Sequence, residues 1–238
     1  MPERTSGGRV TVREVHDAGD PAFPVAHKLL RTTFPRAEML PMRDWRVAMR
    51  ERGMGLWTDL AWHLLVAERD GQVIGAASGS YLGNVNVGII GYIAMRPDVR
   101  SAGVGPRLRR RLRRAFEQDA ARIAGKPLEA ILGEVRSDNP WLRHLVRREH
   151  AIALDFPYIQ PSLGRKKEDV SLVLYYQPIA RQRSSLSTAE LRRLLYTIWR
   201  RTYRVARPLS KPAFRKMLGS LEGRRRIGQM RLPVRGGR

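Results

Sequence analysis

The sequence predicts a mixed α/β (α+β) domain, with a largely antiparallel sheet flanked by helices, followed by a basic helical extension. Strand-like and helix-like segments alternate over residues 9–178. Hydrophobic residues make up 42% of the chain, which is enough for a packed core. The extension differs in charge, because residues 179–238 hold 17 basic and 2 acidic side chains. We therefore expect a folded domain at residues 1–178 and an arginine-rich helical extension at residues 179–238.

Composition excludes several classes of protein. The 238 residues include no cysteine, which removes disulfide frameworks, thiolate metal sites and covalent cysteine intermediates. The first residues lack the apolar run of a signal peptide, and no segment approaches the ~20 consecutive apolar residues of a transmembrane helix. A cytoplasmic protein is the expectation. The formal net charge of +23 favours an anionic partner, above all for the extension.

The first part of the domain shows one strand, two helices and a hairpin. Residues 9–15 alternate polar and apolar side chains, as a half-buried strand does. Helices are predicted at residues 25–34 and 44–52, the first from apolar residues at helical spacing. Residues 62–83 predict a hairpin, with Asp70-Gly71 as the tight turn between two apolar runs.

The rest of the domain continues the alternation. The continuous apolar run at residues 87–95 predicts a strand buried on both faces. A helix then follows Gly105, and the remaining patterns predict a strand at 128–135, a helix at 140–148 and a closing hairpin from 151–161 and 170–176. The predicted order is β-α-α-β-β-β-α-β-α-β-β. This order gives a largely antiparallel sheet with one parallel junction.

The stretch Met95 to Phe116 contains the end of the buried strand, a glycine-containing loop and the start of the next helix. Gly103 and Gly105 allow backbone conformations that other residues resist, just where the helix begins. Free N–H groups and the helix dipole make such a start a phosphate site. The nucleotide loop GxxxxGK[ST] is absent, and the dinucleotide fingerprint GxGxxG fails because Leu108 replaces its third glycine.

The pattern Met95-x-Pro97-x-x-Arg100-x-x-Gly103-x-Gly105 resembles the pyrophosphate-binding motif of the GNAT superfamily of acyl-CoA-dependent N-acyltransferases. That motif reads R/Q-x-x-G-x-G/A after a strand ending in an apolar residue, any residue and proline. The resemblance covers residues 9–178 and implies acetyl-CoA as co-substrate, with no metal. It implies a cofactor site formed by the backbone of Ile93 and Met95, the loop residue Arg100, and the amides of Ser101, Ala102, Gly103, Val104 and Gly105.

The arginines after the loop need no nucleic acid to explain them. Arg109, Arg110 and Arg113 flank the apolar face of the predicted helix, where solvated arginines are ordinary. Pro106 departs from the family because it lacks an N–H group that a phosphate would otherwise receive. A cofactor site with an exposed basic face is therefore the favoured interpretation.

Further family landmarks match only in part. Asn139 fits the asparagine that bonds the pantetheine arm, but Val146 occupies the position of the family's tyrosine. The Gly-Phe position holds His150-Ala151, so the usual general acid is missing.

The chemistry still requires a base, because an amine is mostly protonated at neutral pH. Glu134, at the end of a strand, is the candidate base, and Tyr158 is a candidate substitute acid. Ordinary structural roles, as a salt-bridged glutamate and a core tyrosine, are the alternatives.

Other catalytic patterns are absent from the sequence. The five histidines show no HExxH or other close ligand spacing, and no GxSxG occurs. Direct attack in a ternary complex is therefore expected. The resemblance places the acceptor pocket near residues 35–45 and the last hairpin, where Met42, Trp45 and Tyr158 are candidate wall residues. The sequence shows no acidic cluster of the kind that a polycationic aminoglycoside would demand.

The extension predicts two amphipathic helices. Ser187 and Glu190 have the spacing of a capping box, and Ser210 is the predicted cap of the second helix. The apolar stripes comprise Leu191, Leu194, Leu195 and Ile198 in the first helix, and Phe214, Met217, Leu218 and Leu221 in the second. We expect these stripes to dock on the domain or on a second subunit, which makes a homodimer possible. The basic face favours nucleic acid or an anionic lipid surface.

Two functions follow from these patterns. The first is an N-acetyltransferase that moves an acetyl group from acetyl-CoA to a small-molecule or peptide amine. The alternative is an acyl-CoA-binding regulatory or nucleic-acid-binding protein on the same scaffold, with little turnover.

Overall fold

The computed structural model describes residues 8–99, 103–163 and 169–232. Its main sheet has eight strands, of which seven follow the order β1-β2-β3-β4-β5-β8-β6 and the eighth, β7, pairs with β8. The strands are β1 Thr11–Glu14, β2 Leu60–Arg69, β3 Gln72–Leu82, β4 Val87–Met95, β5 Ala130–Val135, β6 Ile152–Ala153, β7 Tyr158–Gln160 and β8 Val170–Pro178. Two further strands, β9 Ser185–Ser187 and β10 Arg226–Gly228, form a separate antiparallel pair.

The helices cover both faces of this sheet. They are α1 Ala22–Thr33, α2 Met42–Gly53, α3 Val104–Asp119, α4 Pro140–Arg148, α5 Thr188–Thr197 and α6 Pro212–Gly219. The predicted mixed α/β fold with a largely antiparallel sheet is confirmed, and β4 with β5 is the parallel pair. The predicted turn is also correct: Asp70 and Gly71 both have positive φ, 52° and 73°, as the tightest hairpin turns require.

Side-chain alternation along the strands divides the core into layers. In β2, Leu65 and Ala67 pack with α3, whereas Leu64 and Val66 pack with α1 and α2 on the opposite face. The approach of α3 is close, because a Cβ added to Gly88 would lie 2.1 Å from the Phe116 ring. Only glycine therefore fits at position 88.

The C-terminal helices pack against the other end of the sheet. In β8, Val173 and Tyr175 face α4, whereas Leu174 and Tyr176 face the cluster that contains α5 and α6. All four residues of the first predicted apolar stripe are buried there, together with Trp199, Phe214 and Met217. The extension thus shares one apolar cluster with β4 and β5. The domain boundary at residue 178 stays a prediction.

Two local expectations for the extension had different outcomes. The capping box is confirmed: Ser187 Oγ accepts from the Glu190 N–H, and the Glu190 carboxylate accepts from the Ser187 N–H. The predicted cap at Ser210 is wrong. The second helix begins at Pro212, and the Ser210 hydroxyl donates to the Arg207 carbonyl in a short turn before it.

Arg109 differs from the solvated residue that the sequence predicted. It is 8% exposed and donates hydrogen bonds to Glu149, Tyr175 and Gln177. The guanidinium has five N–H donors, and these three side chains accept hydrogen bonds from several of them. Arg109 therefore ties α3 to β8 and the end of α4.

None of the helices in the described part of the chain combines the length and apolar character that crossing a bilayer requires.

A buried histidine joins β1, β2 and α3. His63 Nδ1 lies 2.7 Å from Glu14 Oε1, and its Nε2 lies 2.6 Å from Asp119 Oδ2. Burial alone would lower the pKa of His63, but hydrogen bonds with both carboxylates outweigh burial and raise it. Arg52 and Arg122 pair with the same carboxylates. His63 therefore links two carboxylates, each of which also pairs with an arginine.

Replacing this histidine should destabilise the fold most at low pH. Because the pKa of His63 is raised in the folded protein, its contribution is present below the ordinary pKa of 6.5 and is lost as the pH rises through the raised value. We expect His63→Gln to lower the free energy of unfolding by about 3 kcal/mol at acidic pH, and by less at alkaline pH. Urea unfolding across this range measures the effect, with the exposed His144→Gln as control. Parallel pH curves for parent and His63→Gln would contradict the assignment.

Candidate active site

The site begins where two parallel strands separate. β4 pairs with β5 from Val87 to Ile90 and from Ala130 to Gly133. β4 runs on to Met95, still paired with β3, whereas β5 continues along β8. The register of β3 with β4 shifts at the same point, and Gly91 is the extra residue of a β-bulge. The bulge bends β4 away, so a slot opens between the two strands.

Backbone groups of β4 face this slot. The Arg96 N–H donates to the Ile74 carbonyl on the β3 side at 2.9 Å. Successive residues of a strand direct their N–H and C=O groups to alternate sides. The groups of Ile93 and Met95 therefore point away from β3, towards the position that β5 has left. These are the two residues whose backbone the sequence analysis placed at the cofactor.

The N-terminus of α3 lies at the end of the slot. Gly103 adopts φ 69°, a left-handed conformation, and α3 begins at Val104. The first N–H groups of a helix have no intrahelical acceptor, so those of Val104 and Gly105 are available to an anion. A Cβ added to Gly105 would lie 3.0 Å from Met95 Sδ, so the strand end and the helix start are adjacent. Arg100, Ser101 and Ala102 lie outside the described residues.

Asn139 has a clear structural partner. Its Oδ1 accepts from the Trp141 N–H at 2.9 Å, which caps the start of α4. At the other end of α4, His150 has φ 54°, the left-handed conformation that favours glycine. His150 thus adopts the backbone geometry expected at the family's glycine position. Val146 is partly buried against the apolar cluster below α4.

Glu134 is held between two phenols. Side chains of β5 alternate, so Glu134 lies on the same face as Leu132, towards the C-terminal helices. Its Oε1 accepts from the Tyr158 hydroxyl, and its Oε2 accepts from the Tyr203 hydroxyl. Glu134 is surrounded by protein atoms on most sides. It is half-buried because its remaining side borders a cavity.

The pKa of Glu134 suits proton transfer at neutral pH. Burial is the main cause that raises the pKa from its ordinary value of 4.5 to about 7. Hydrogen bonds from Tyr158 and Tyr203 oppose this shift, and the negative charge of Glu38 adds to it. The structure thus brings the predicted base and the predicted acid together as partners in one hydrogen bond.

Sequence reasoning missed Tyr203. It lies 69 residues after Glu134, in a turn that follows α5, and no spacing pattern connects the two. The aromatic content of residues 196–203 was the available signal. Tyr203 is half-buried, and burial beside the Glu134 charge raises its pKa well above 10.

Two adjoining cavities lead from Glu134 towards α2. The inner cavity, of about 50 Å³, is bordered by Glu38, Tyr92, Glu134 and Tyr203. The outer cavity, of about 40 Å³, is bordered by Asp44, Glu51, Trp57 and Arg204. Five residues border both cavities: Leu40, Trp45, Trp62, Ser80 and Thr202. The cavities therefore meet along a wall that includes two tryptophans.

The cavities differ in part from the predicted acceptor pocket. Trp45 borders them as predicted, whereas Met42 packs against the α1–α2 core and Tyr158 is buried behind Glu134. The fold also gathers carboxylates that are scattered in the sequence: Glu38 and Glu134 at the inner cavity, Asp44 and Glu51 at the outer one. Arg52, Arg201 and Arg204 also border the outer cavity, so the pocket carries charges of both signs, and their juxtaposition was not visible from sequence.

The segment after α5 covers one side of the cavities. Arg201 pairs with Asp59 at 2.7 Å and lies over the Trp57 ring at 4.8 Å. Arg204 pairs with Glu51 of α2 at 2.5 Å. We call residues 201–204 the strap. In the described part of the chain, no group of His, Asp and Glu side chains is arranged to hold a metal ion.

A parted strand pair, a helix N-terminus at its end and a carboxylate of raised pKa beside it are the features of an acyl-CoA-dependent acetyltransferase. The sequence profile described as the acetyltransferase (GNAT) family matches residues 24–149, more than half of the chain. The chain belongs to the GNAT acetyltransferase family, and the resemblance seen in the sequence is confirmed. A comparison with curated proteins found no match.

Solved structures share this fold. A protein described as a GNAT-family acetyltransferase, from Bacteroides thetaiotaomicron, is 16% identical with a TM-score of 0.58, over 82% of this chain and 99% of that chain. YncA of Salmonella typhimurium, solved with its cofactor acetyl-CoA, is 17% identical with a TM-score of 0.50, over 74% and 97%. The ribosomal-protein-alanine N-acetyltransferase of Brucella melitensis is 16% identical with a TM-score of 0.50, over 71% and 99%. At these identities the likeness establishes the fold.

Removing the Tyr203 hydroxyl should raise the pKa of Glu134 further. The hydrogen bond from Tyr203 stabilises the charged carboxylate and so lowers its pKa. In Tyr203→Phe this lowering is lost, and the rise caused by burial is larger. Titration of ¹³C-labelled glutamate carboxyl groups by NMR measures this pKa, with the signal assigned by its loss in Glu134→Gln. Tyr196→Phe, at an exposed tyrosine of α5, is the matched control. A Glu134 titration that Tyr203→Phe leaves unchanged would show that the hydrogen bond does not form in solution.

Proposed function

We propose that this protein transfers an acetyl group from acetyl-CoA to a primary amine by direct attack in a ternary complex. The observation that carries the proposal is Glu134, a carboxylate with a pKa of about 7 that borders the inner cavity beside the slot between β4 and β5. A base with this pKa is half-deprotonated at neutral pH, which suits proton removal from an amine.

The residues present fit the cofactor. The β4 edge exposes the backbone of Ile93 and Met95 to an extended pantetheine arm, and one of their N–H groups would polarise the thioester carbonyl. The open start of α3, with glycine at 103 and 105, suits a pyrophosphate. Arg100, Ser101, Ala102 and Asn139 complete the proposed cofactor site. Acetyl-CoA supplies the acetyl group as an activated thioester.

The chain's own residues then manage the acceptor proton. The carboxylate of Glu134 attracts the acceptor as an ammonium ion, and Glu38, which also pairs with Arg136, borders the same cavity. Glu134 removes one proton, which frees the nitrogen lone pair for attack on the thioester carbonyl. Tyr158 and Tyr203 hold the carboxylate in position through both oxygens.

Several finer expectations stay predictions. These are a role for Tyr158 as the acid that protonates the departing thiolate, a cytoplasmic location, a homodimer, and binding of the basic extension to nucleic acid or anionic lipid. In the extension, several arginines serve internal contacts: Arg183 with Glu190, Arg201 with Asp59 and Arg204 with Glu51. The family match favours the enzyme over a binding protein without turnover.

A bulky anion at the start of α3 should weaken acetyl-CoA binding. Gly105→Glu places a carboxylate where the pyrophosphate would accept hydrogen bonds from backbone N–H groups. The Cβ of the new side chain also crowds Met95. We expect the dissociation constant to rise about tenfold or more, as for a lost charge-assisted contact. Isothermal calorimetry measures it. Gly219→Glu, in α6 where an added Cβ meets no atom within 4 Å, is the control with the same charge change. Equal affinity in parent and Gly105→Glu would refute the cofactor site.

Neutralising the proposed base should cut turnover most near neutral pH. Glu134→Gln keeps the shape but cannot accept the proton, so we expect a loss of about a hundredfold in kcat/KM. The loss should shrink as the pH rises towards the pKa of the amine, because the free amine then needs no base. In the parent, the rate should rise with pH through the pKa of about 7. Release of free CoA measures both profiles, and profiles of the same height and shape would remove Glu134 from the mechanism.

A further inference from the structure

We propose that the acceptor is a small primary amine that carries an uncharged oxygen close to its amino group, and that Trp45 and Thr202 bind this oxygen. The proposal rests on the acetyl transfer proposed above and narrows its acceptor to amino amides and amino alcohols.

Two buried polar groups in the cavity wall lack partners. Trp45 Nε1 and Thr202 Oγ1 have no hydrogen-bond partner among the described residues, and Trp45 is only 1% exposed. An unsatisfied buried polar group costs about 1–3 kcal/mol, so proteins rarely keep one without a use. Trp45 and Thr202 come from α2 and the strap, yet both border the inner and the outer cavity.

The chemistry of these groups selects their ligand. An indole N–H can only donate, and the threonine hydroxyl can donate as well. The matching group on a ligand is an oxygen with two lone pairs, such as an amide carbonyl or a hydroxyl. Both atoms are almost fully inaccessible in this structure, so binding of the oxygen requires neighbouring side chains to shift.

Charge decides that the oxygen is neutral. Glu38 and Glu134 border the inner cavity. Arg136 compensates the charge of Glu38, so Glu134 is the side chain that repels a carboxylate on the acceptor and attracts its ammonium end. An amino amide or amino alcohol satisfies both requirements, whereas a free amino acid does not.

Size favours a small acceptor. The two cavities measure about 50 and 40 Å³, and the strap covers one side of them through the Arg201–Asp59 and Arg204–Glu51 pairs. A skeleton of a few heavy atoms fits this space while its nitrogen reaches Glu134. The strap thus supplies Thr202 to the oxygen and Tyr203 to the base.

Three amines with the same branched skeleton test the proposal: glycinamide, glycine and isobutylamine. Thr202→Val removes the hydroxyl at nearly constant shape, and Thr202→Ser keeps it. We expect Thr202→Val to lower kcat/KM for glycinamide about fivefold, equivalent to one hydrogen bond, and to leave isobutylamine unchanged. Thr202→Ser should retain most of the activity with glycinamide. For each amine, the ratio of kcat/KM in the variant to kcat/KM in the parent removes differences in intrinsic reactivity. In the parent, glycine should be the poorest acceptor.

A binding measurement separates this proposal from the acetyl transfer itself. The indole N–H signal of Trp45, assigned by its loss in Trp45→Phe or by triple-resonance NMR, should shift with glycinamide and not with isobutylamine. Such a shift without turnover of any amine would support the oxygen site and refute the transfer. Turnover with equal effects of Thr202→Val on glycinamide and isobutylamine would overturn the oxygen site alone. Absence of both the shift and the turnover would overturn both.

Discussion

The separation of β4 from β5 is the constraint on which the rest of the site depends. Parallel pairing ends at Ile90 and Gly133 because the bulge at Gly91 turns β4 away, while β8 holds β5 in line. A sheet that stayed paired would have satisfied these backbone groups internally and left none for a ligand. The same divergence leaves Glu134 at the edge of a cavity rather than inside a closed layer. The proposed cofactor site and the proposed base therefore both depend on one local interruption of the sheet.

The C-terminal helices complete what this interruption begins. They cover the face of β5 and β8 opposite α4, and their apolar residues fuse with those of β4 and β5 in one cluster. This packing delivers the strap to the cavities, where Thr202, Tyr203 and Arg204 become wall residues. Position 146 carries no phenol, whereas Tyr203, from a different element, donates to Glu134. Glu134 therefore accepts hydrogen bonds from Tyr158 of the main sheet and from Tyr203 of the C-terminal extension.

Much of the fold could be predicted from sequence, because its signals are local. Alternation and apolar runs gave the strand bounds of β4 without error, and the Asp70-Gly71 turn and the Ser187 capping box follow from the chemistry of a few neighbouring residues. Glu134 could be proposed because it ends a recognisable strand. Ser210 was misplaced because Pro212 starts the helix two residues later, where a missing N–H costs nothing.

What escaped prediction depends on distant residues that share no pattern. Arg109 resembles its solvated neighbours in sequence, but its partners Glu149, Tyr175 and Gln177 come from two other elements. The carboxylates that border the cavities lie between positions 38 and 134, and Tyr203 joins them only through the packing of α5. Periodicity describes a single segment and its exposed or buried face. It carries no information on which distant segments meet.

The link between Glu134 and Tyr203 also has a consequence for how the protein is made. A ribosome synthesises the sheet residues first, and a chain grown only to residue 178 already contains every strand of the main sheet. In such a chain the apolar face of β5 and β8 has no cover, and Glu134 lacks one of its two donors. Contacts of this sequence separation form late, since the loop between them must close first. The proposed site around Glu134 therefore gains its second donor only after residue 203 has been synthesised.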